Sequence, residues 1–406
     1  MSDVNNLYYF IKSLCPESKY ILNMIQKKGP IDKNTLSNIT KHKMTKLNRL
    51  MQPLEECGII LGNGEGNSTG GRKPILYDVN TRDYYIVNLA NVTTQYTISI
   101  VNLKAKCVAH RIFPMTKELT PDEYFTKAMS VISELMEEIS ISPDMLIGVG
   151  ISAFGSVDRK EGKISKQSVI YISEKWIGAP LVKMFSEALN VPAVLDIMSN
   201  AEMLCHYLYG GNYDVKRFMY LHSAMSIRSA FLSSNKIIRT TNDCDDAFGH
   251  MTVNFGGESC KCGSYGCIDA YSAIPAIINQ FTLKLKLGRV STVQKPIEEI
   301  EFVDIAKAAD EGDALAGEVI SYAASVLGQG LVNYINLLNP DIVLLSGIIV
   351  RNCDLFCDVV TKTALKRLNK MFDNVDLKII RNDYTMNAST ICGGVIFIEA
   401  MVDGIV

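Results

Sequence analysis

No apolar run in this 406-residue chain approaches the roughly 20 residues that a membrane-spanning helix needs. The opening stretch, MSDVNNLYYFIKS, has no basic region followed by a long apolar segment and a cleavage site. No export signal is therefore expected, and the sequence reads as a cytoplasmic protein with no membrane partner. Net charge is also nearly absent: 41 Lys and Arg face 43 Asp and Glu, a formal −2. Taken whole, that balance argues against nucleic acid. A disulfide framework is missing too. The 11 Cys are an odd number, scattered except for one tight cluster, which points to reduced thiols or metal ligands. What is present is 48% apolar and 21% charged residues, the balance of a folded chain and not of a disordered one. The length suits two or three domains.

The charge average conceals a split. Residues 1–80 carry 11 Lys and Arg against 7 Asp and Glu, a net +4, which leaves −6 on the remainder. A basic N-terminal block on an acidic body is expected when one module meets phosphate and the other does not. Within that block, Ile21, Met24 and Ile25 form a helical stripe that Gly29–Pro30 ends. Asp32 can cap a short second helix containing Leu36 and Ile39. A third helix follows Lys41–His42, with Met44, Leu47, Leu50, Met51 and Leu54 at spacings of three and four. Pro53 should kink or shorten it, and Gly58 lies just past its end. Three short helices in this order predict a helix-turn-helix whose third helix enters the DNA major groove. Lys43, Lys46 and Arg49 then supply phosphate affinity, with Thr45 and Asn48 among them to read base edges. Two apolar runs, Ile59–Leu61 and Ile75–Val79, flank a Gly/Asn/Ser-rich loop and predict a β-hairpin wing with Arg72 and Lys73 on its returning edge. The competing reading of the block is a charged helical domain used for protein contacts.

One His and three Cys converge between residues 250 and 267: His250, Cys260, Cys262 and Cys267, the thiols spaced C-x-C-x4-C. Cys3His is a common closed, structural Zn²⁺ set, and Gly256, Gly257, Gly263 and Gly266 allow a tight fold around the ion. A closed four-ligand site leaves no position for an activated water. The alternative is free thiols with a core histidine. Cys353 and Cys357, four apart on a predicted helix, read as core residues in preference to a redox pair.

Together these residues resemble the ROK family (repressors, open reading frames and kinases) in its transcriptional-regulator branch. The resemblance rests on GPIDKNTLSNIT, KLNRLMQPLEECGII and STGGRKPILYDVN in the head. In the body it rests on GVGISAFGSVDRKEGKI, the zinc signature GHMTV…CKCGSYGCIDAY, LLNPDIVLLSGIIV and STICGGVIFIEAMV. It implies an α/β fold: a two-lobed actin-like ATPase (ribonuclease-H-like) body behind an N-terminal winged helix-turn-helix domain. The implied boundaries are 1–80 for the head, 81–196 for a small lobe closed by a C-terminal helix at 388–406, and 197–387 for a large lobe with the zinc site. Alternation of short β-rich runs (Tyr85–Leu89, Tyr96–Val101, Leu146–Ile151, Val194–Ile197, Phe218–Leu221, Ile342–Leu345) with helical runs (Glu123–Ile139, Ala314–Leu338) fits an α/β body independently.

Against the family's kinases, several parts are missing. Their first phosphate loop corresponds to Asn88-Leu-Ala-Asn91-Val and their second to Ala224-Met-Ser-Ile-Arg228, both without glycine. Met198 stands where the catalytic Asp should be, and Met cannot accept a proton. Asp196, two residues upstream, would share its face on a strand. The Glu of the family's Glu-x-Gly-His is Ala247 here, while the acid of Gly-Cys-x-Glu persists as Asp269. The expectation is a non-catalytic body. It belongs to a DNA-binding regulator, a repressor, that meets a double-stranded operator as a homodimer or dimer of dimers. A sugar or sugar-phosphate effector would meet His250, Asp269 and Arg228. The alternative is a ROK sugar kinase with an appended DNA-binding head.

Overall fold

The N-terminal helices form because each has an apolar stripe and a local stop. In the computed structural model, which describes all residues except 1–4, 66–72, 92–94, 166–172, 212, 214, 240–246, 374 and 405–406, the head opens with α1 (Asn5–Ser13) and α2 (Pro16–Lys28). A two-residue strand β1 (Ile31–Asp32), α3 (Lys33–Thr40), α4 (Met44–Glu56), β2 (Ile60–Glu65) and β3 (Ile75–Val79) follow. Asp32 caps α3, its carboxylate accepting the Asn34 and Thr35 N–H groups. The helix stops at Lys41, whose φ is +58°. Ile21, Leu22 and Ile25 of α2 are buried with Leu36 of α3 and Leu47, Leu50, Met51 and Leu54 of α4. Met44, placed on the same stripe by its spacing, is exposed, because it begins the helix beyond the packed face. Pro53 neither breaks nor shortens α4. It sits in the last turn, and the helix runs through it to Glu56. The strands make an antiparallel sheet in the order β1-β3-β2, so the hairpin gains a third strand from the α2–α3 connection.

The body contains two five-stranded sheets. The first, in the order β10-β7-β4-β5-β6, comprises β4 (Tyr85–Asn91), β5 (Gln95–Asn102), β6 (Cys107–Pro114), β7 (Leu146–Ala153) and β10 (Ala193–Ile197). A small ribbon of β8 (Val157–Asp158) and β9 (Lys163–Ile164) lies beside it in sequence. On one face pack α5 (Pro121–Glu138), begun by a Thr120–Glu123 capping box, and α6 (Leu181–Leu189). Tyr124, Trp176 and Phe185 interlock there. The other face is covered by α7 (Met198–Tyr209) and by α14 (Cys392–Met401) from the far end of the chain. Two glycines permit that cover. A Cβ on Gly150 of β7 would fall on the Gly393 carbonyl oxygen, and one on Gly393 would strike the Gly150 carbonyl.

The second sheet, in the order β13-β12-β11-β14-β15, comprises β11 (Arg217–Ser223), β12 (Ile227–Ser233), β13 (Lys236–Ile238), β14 (Ile342–Ser346) and β15 (Lys378–Arg381). Its helices are α8 (Asp269–Ser272), α9 (Ile274–Lys286), α10 (Phe302–Asp310), α11 (Ala314–Leu338), α12 (Ile348–Asn352) and α13 (Asp354–Met371). The 25-residue α11 has the length and apolarity of a membrane span, but 61% of its most apolar window is buried within the protein. It packs chiefly on α13, with Gly328 set against Thr363 and Val360. Cys353 and Cys357 belong to this core, and burial pushes their thiols up to about 12 and about 11.

Two compact units result, Met1–Asn212 with Asn387–Val406, and Tyr213–Met386. The head clusters with the first sheet. So does α7, which the sequence reading places in the large lobe from residue 197. The reason is local: nine consecutive residues of α7, Met198–His206, are buried, and the helix packs on α14 and β10.

Candidate nucleic-acid interface, metal centre and effector pocket

On α4 the buried residues recur every three or four positions, which forces the intervening ones outward. Lys43, Thr45, Asn48 and Arg49 are all exposed, on the opposite side from Leu47, Leu50 and Leu54. Lys46 is half-buried and already holds a partner, the Glu17 carboxylate of α2. That ion pair, with Lys46 as hydrogen-bond donor, keeps Glu17 below the usual carboxylate range. Lys73 is exposed just before β3. Arg72 lies outside the described residues.

The head is fastened to the first sheet by its own backbone and by the C-terminal segment. Lys104, on the β5–β6 turn, donates to the carbonyls of Ile25, Gln26 and Gly29 at 3.3, 2.9 and 2.8 Å and pairs with Asp78 at 2.7 Å. It thus gathers carbonyls at and just past the end of α2, where the helix leaves acceptors without a full set of partners; the Ile25 oxygen also accepts the Gly29 N–H. Gln26 donates to Leu103 O and to the Tyr209 hydroxyl at the end of α7. Lys27 meets the fully buried Glu399 of α14 at 2.9 Å. Lys12 and Lys19 both pair with Asp403.

In the second unit His250, Cys260, Cys262 and Cys267 gather as their spacing predicts, with all four ligand atoms within 4.8 Å of one another. Cys262 Sγ lies 3.7 Å from Cys267 Sγ, and Cys260 Sγ lies 3.5 Å from His250 Nδ1. Tetrahedral Zn²⁺ with Zn–S bonds of about 2.3 Å would separate two sulfurs by about 3.8 Å, so the cluster fits that ion. Gly266, at φ +70°, passes so close to the Asn254 carbonyl that any side chain would collide. The Tyr271 hydroxyl braces the loop by accepting from Glu258 N and Asn254 Nδ2. Burial, then the neighbouring thiols, push Cys267 up to about 12, and burial raises Cys260. Cys262 falls below the usual thiol value. Its own burial opposes this, but hydrogen bonds from the Ser264 backbone and from the two thiols prevail. A bound dication would favour all three thiolates.

The effector residues are dispersed in role. Asp269, at the start of α8, is buried, and its Oδ1 accepts the Ile227 N–H at 2.7 Å. Its Oδ2 lies 2.8 Å from Lys261 Nζ, a partner unmarked in the sequence because the lysine stands between Cys260 and Cys262 of the candidate metal cluster. Arg228 is in β12, paired across from His222, with Nε donating to Ser226 Oγ at 3.0 Å. It is buried, at 5% exposure.

The kinase-like positions hold structural roles. Asn88–Asn91 is not a loop but part of β4. Asn88 Oδ1 accepts from Gly393 N at 2.6 Å, and Nδ2 donates to Ser99 Oγ and Ser389 O, which pins α14 to the sheet. Met198 does not share a strand face with Asp196, since β10 ends at Ile197 and Met198 begins α7. Asp196 is fully buried and accepts from Ile197 N and Asn200 Nδ2 at the start of that helix.

The ROK family sequence pattern matches residues 93–400. The chain is 26% identical over 390 residues to the DNA-binding transcriptional dual regulator NagC of Escherichia coli K12, covering 96% of this chain and 93% of that protein. It is 23% identical over 394 residues to the xylose repressor of Bacillus subtilis, covering 97% of each. Among solved structures, a ROK family transcriptional regulator homologous to the E. coli MLC protein superposes with a TM-score of 0.80 at 19% identity, over 98% of both chains. The ROK hexokinase of Thermus thermophilus superposes with a TM-score of 0.65 at 19% identity, over 79% of this chain and 100% of the kinase. The fold is therefore the two-lobed, actin-like one of these proteins. With its pattern matched from residue 93 to residue 400, the chain belongs to the ROK family.

Proposed function

We propose that this protein is a DNA-binding transcriptional regulator, a repressor, whose sugar-kinase-like body is non-catalytic and serves as the effector and dimerisation module. The observation that carries the reading is the outward row Lys43, Thr45, Asn48 and Arg49 on α4, opposite a fully buried apolar face. Such a helix has no core left to make on its polar side, and its residue types suit phosphates and base edges. Lys73 and Arg72 extend the contact from the wing. A single winged module reads few bases, so two half-sites and a homodimer, or a dimer of dimers, supply the specificity. The full-length likeness to proteins named as NagC and xylose repressor supports the same reading.

Domain limits of 1–80, 81–196 with 388–406, and 197–387 go with this assignment, except that α7 packs with the first sheet. His250, Cys260, Cys262 and Cys267 would hold a structural Zn²⁺ that fixes the loop and supplies no hydrolytic chemistry. The effector is a sugar or a sugar phosphate, met by His250, Asp269 and Arg228. Catalysis is not supported: Met198 replaces the base, Asp196 is buried and accepts from Ile197 N and Asn200 Nδ2, and Asn88 holds α14. Gel-shift with fragments of the native upstream region tests the reading. Salt-sensitive binding is expected, weakened by Lys46→Ala with Arg49→Ala. Unchanged affinity in that double variant would remove α4 as the reading helix.

A further inference from the structure

Asp269 is the one carboxylate among the proposed effector residues, and both of its oxygens are already engaged within the protein. Its two oxygens receive the Ile227 N–H at 2.7 Å and the Lys261 ammonium at 2.8 Å. The Asp269 side chain is 5% exposed and that of Lys261 21%. Lys261 stands between Cys260 and Cys262, whose sulfurs both belong to the candidate metal cluster. The Cys260 N–H, bonded to Ser264 O at 2.8 Å, holds this turn.

A carboxylate in a sugar site acts by accepting hydrogen bonds from hydroxyl groups. Here a charged donor already occupies Oδ2. Charge-assisted hydrogen bonds are roughly twice as strong as neutral ones, so a sugar hydroxyl competing for that oxygen exchanges a strong contact for a weaker one. A ligand that carries its own anion does not face this loss, because it can take over Lys261 while its hydroxyl takes over Asp269. The second partner of Asp269, a backbone amide, cannot be exchanged in this way and stays in place.

From this geometry we infer that Lys261 determines ligand specificity: it closes Asp269 to neutral sugars and admits a sugar bearing a carboxylate or a phosphate. The inference rests on the effector reading above and narrows it. The selection is built from a salt bridge internal to the protein, so it discriminates by requiring a replacement charge and not by shape.

Isothermal titration of the zinc-loaded, full-length protein tests it. The panel is neutral hexoses, pentoses and N-acetylhexosamines, each beside its terminal phosphate and, for hexoses, its uronate. At least one charged sugar is expected to bind tenfold or more tighter than its neutral parent, and the phosphate and uronate arms identify which anion is used. In Lys261→Met, which keeps the apolar stem, the charged sugar should lose that advantage and the neutral parent should gain. Lys261→Arg should keep the preference. Zinc content and thermal midpoint report whether each variant is folded. If Lys261→Met does not fold, Asp269→Asn takes its place, and there the charged sugar should tighten relative to wild type. Neutral sugars bound as tightly as charged ones by the wild type, or the same preference in Lys261→Met, would overturn the lock and leave the effector reading standing. No binding of any panel member to either protein would overturn both.

Discussion

At the scale of single residues, α4, the proposed recognition helix, contains two kinds of base. Arg49 projects into solvent, whereas Lys46 is spent on Glu17 within the head. DNA binding must release Lys46 from that carboxylate before a phosphate can have it. Lys46→Ala is therefore expected to weaken operator binding less than Arg49→Ala, by titration at one salt concentration. Asn48→Ala should cost about 1–3 kcal/mol and relax specificity at one base pair, while Lys43→Ala should reduce the salt slope by about 1 without changing sequence preference. The buried side of this helix was legible because spacings of three and four leave only one assignment of Leu47, Leu50, Met51 and Leu54. The partner of Lys46 was not, since Glu17 lies 29 residues away and nothing in either segment marks the pairing. The same limit applies to Lys261. The cysteine spacing located the loop and the gathering of its His and three Cys but carried no information on the partner of the residue between two of them.

At the scale of elements, α14 joins the head to the first sheet. It lies on β4 and β7 through the mutual approach of Gly150 and Gly393 and the Asn88–Gly393 hydrogen bond, and its far end meets the head. Gly150→Ala should force these backbones apart and destabilise the first unit by roughly 3 kcal/mol, visible in chemical denaturation. The ion pairs at the head are pH-dependent. Burial tends to raise the Asp403 carboxyl, but hydrogen bonds from Lys12 and Lys19 outweigh it and hold the group below its ordinary value. A depressed carboxyl contributes stability above the unfolded value of about 4 and loses it as pH falls through the folded one. Asp403→Asn should thus lower the thermal midpoint at pH 7, and the difference from wild type should shrink as the pH falls below about 4. The closing helix and its sequence were anticipated. That its last turn would anchor the head was not, because a charge at the end of an apolar helix reads equally well as a solvated end.

At the scale of the whole molecule, the −2 net charge is the sum of a basic reading module and an acidic body, which can orient the protein by repelling DNA from all but the head. The metal loop is the other whole-molecule commitment. Closed sites contribute folding energy, so chelation should lower the thermal midpoint, and metal analysis of unchelated protein should give about one Zn²⁺ per chain. Cys262→Ser should reduce both stoichiometry and stability.

The route of the chain through α14 also has a consequence for synthesis on the ribosome. The strands that helix covers are complete by Ile197, but the helix itself begins at Cys392. At about 5–20 residues per second, roughly 10–40 s separate the two events. Throughout that interval the Asn88 and Gly150 face of the first sheet has no α14 against it, and Lys12, Lys19 and Lys27 have no carboxylates to meet. The nascent head can therefore make its Lys104, Leu103 and Tyr209 contacts early, but not its ion pairs with Glu399 and Asp403 until translation has passed the second sheet. This protein should depend on a holding chaperone during synthesis more than its native stability suggests.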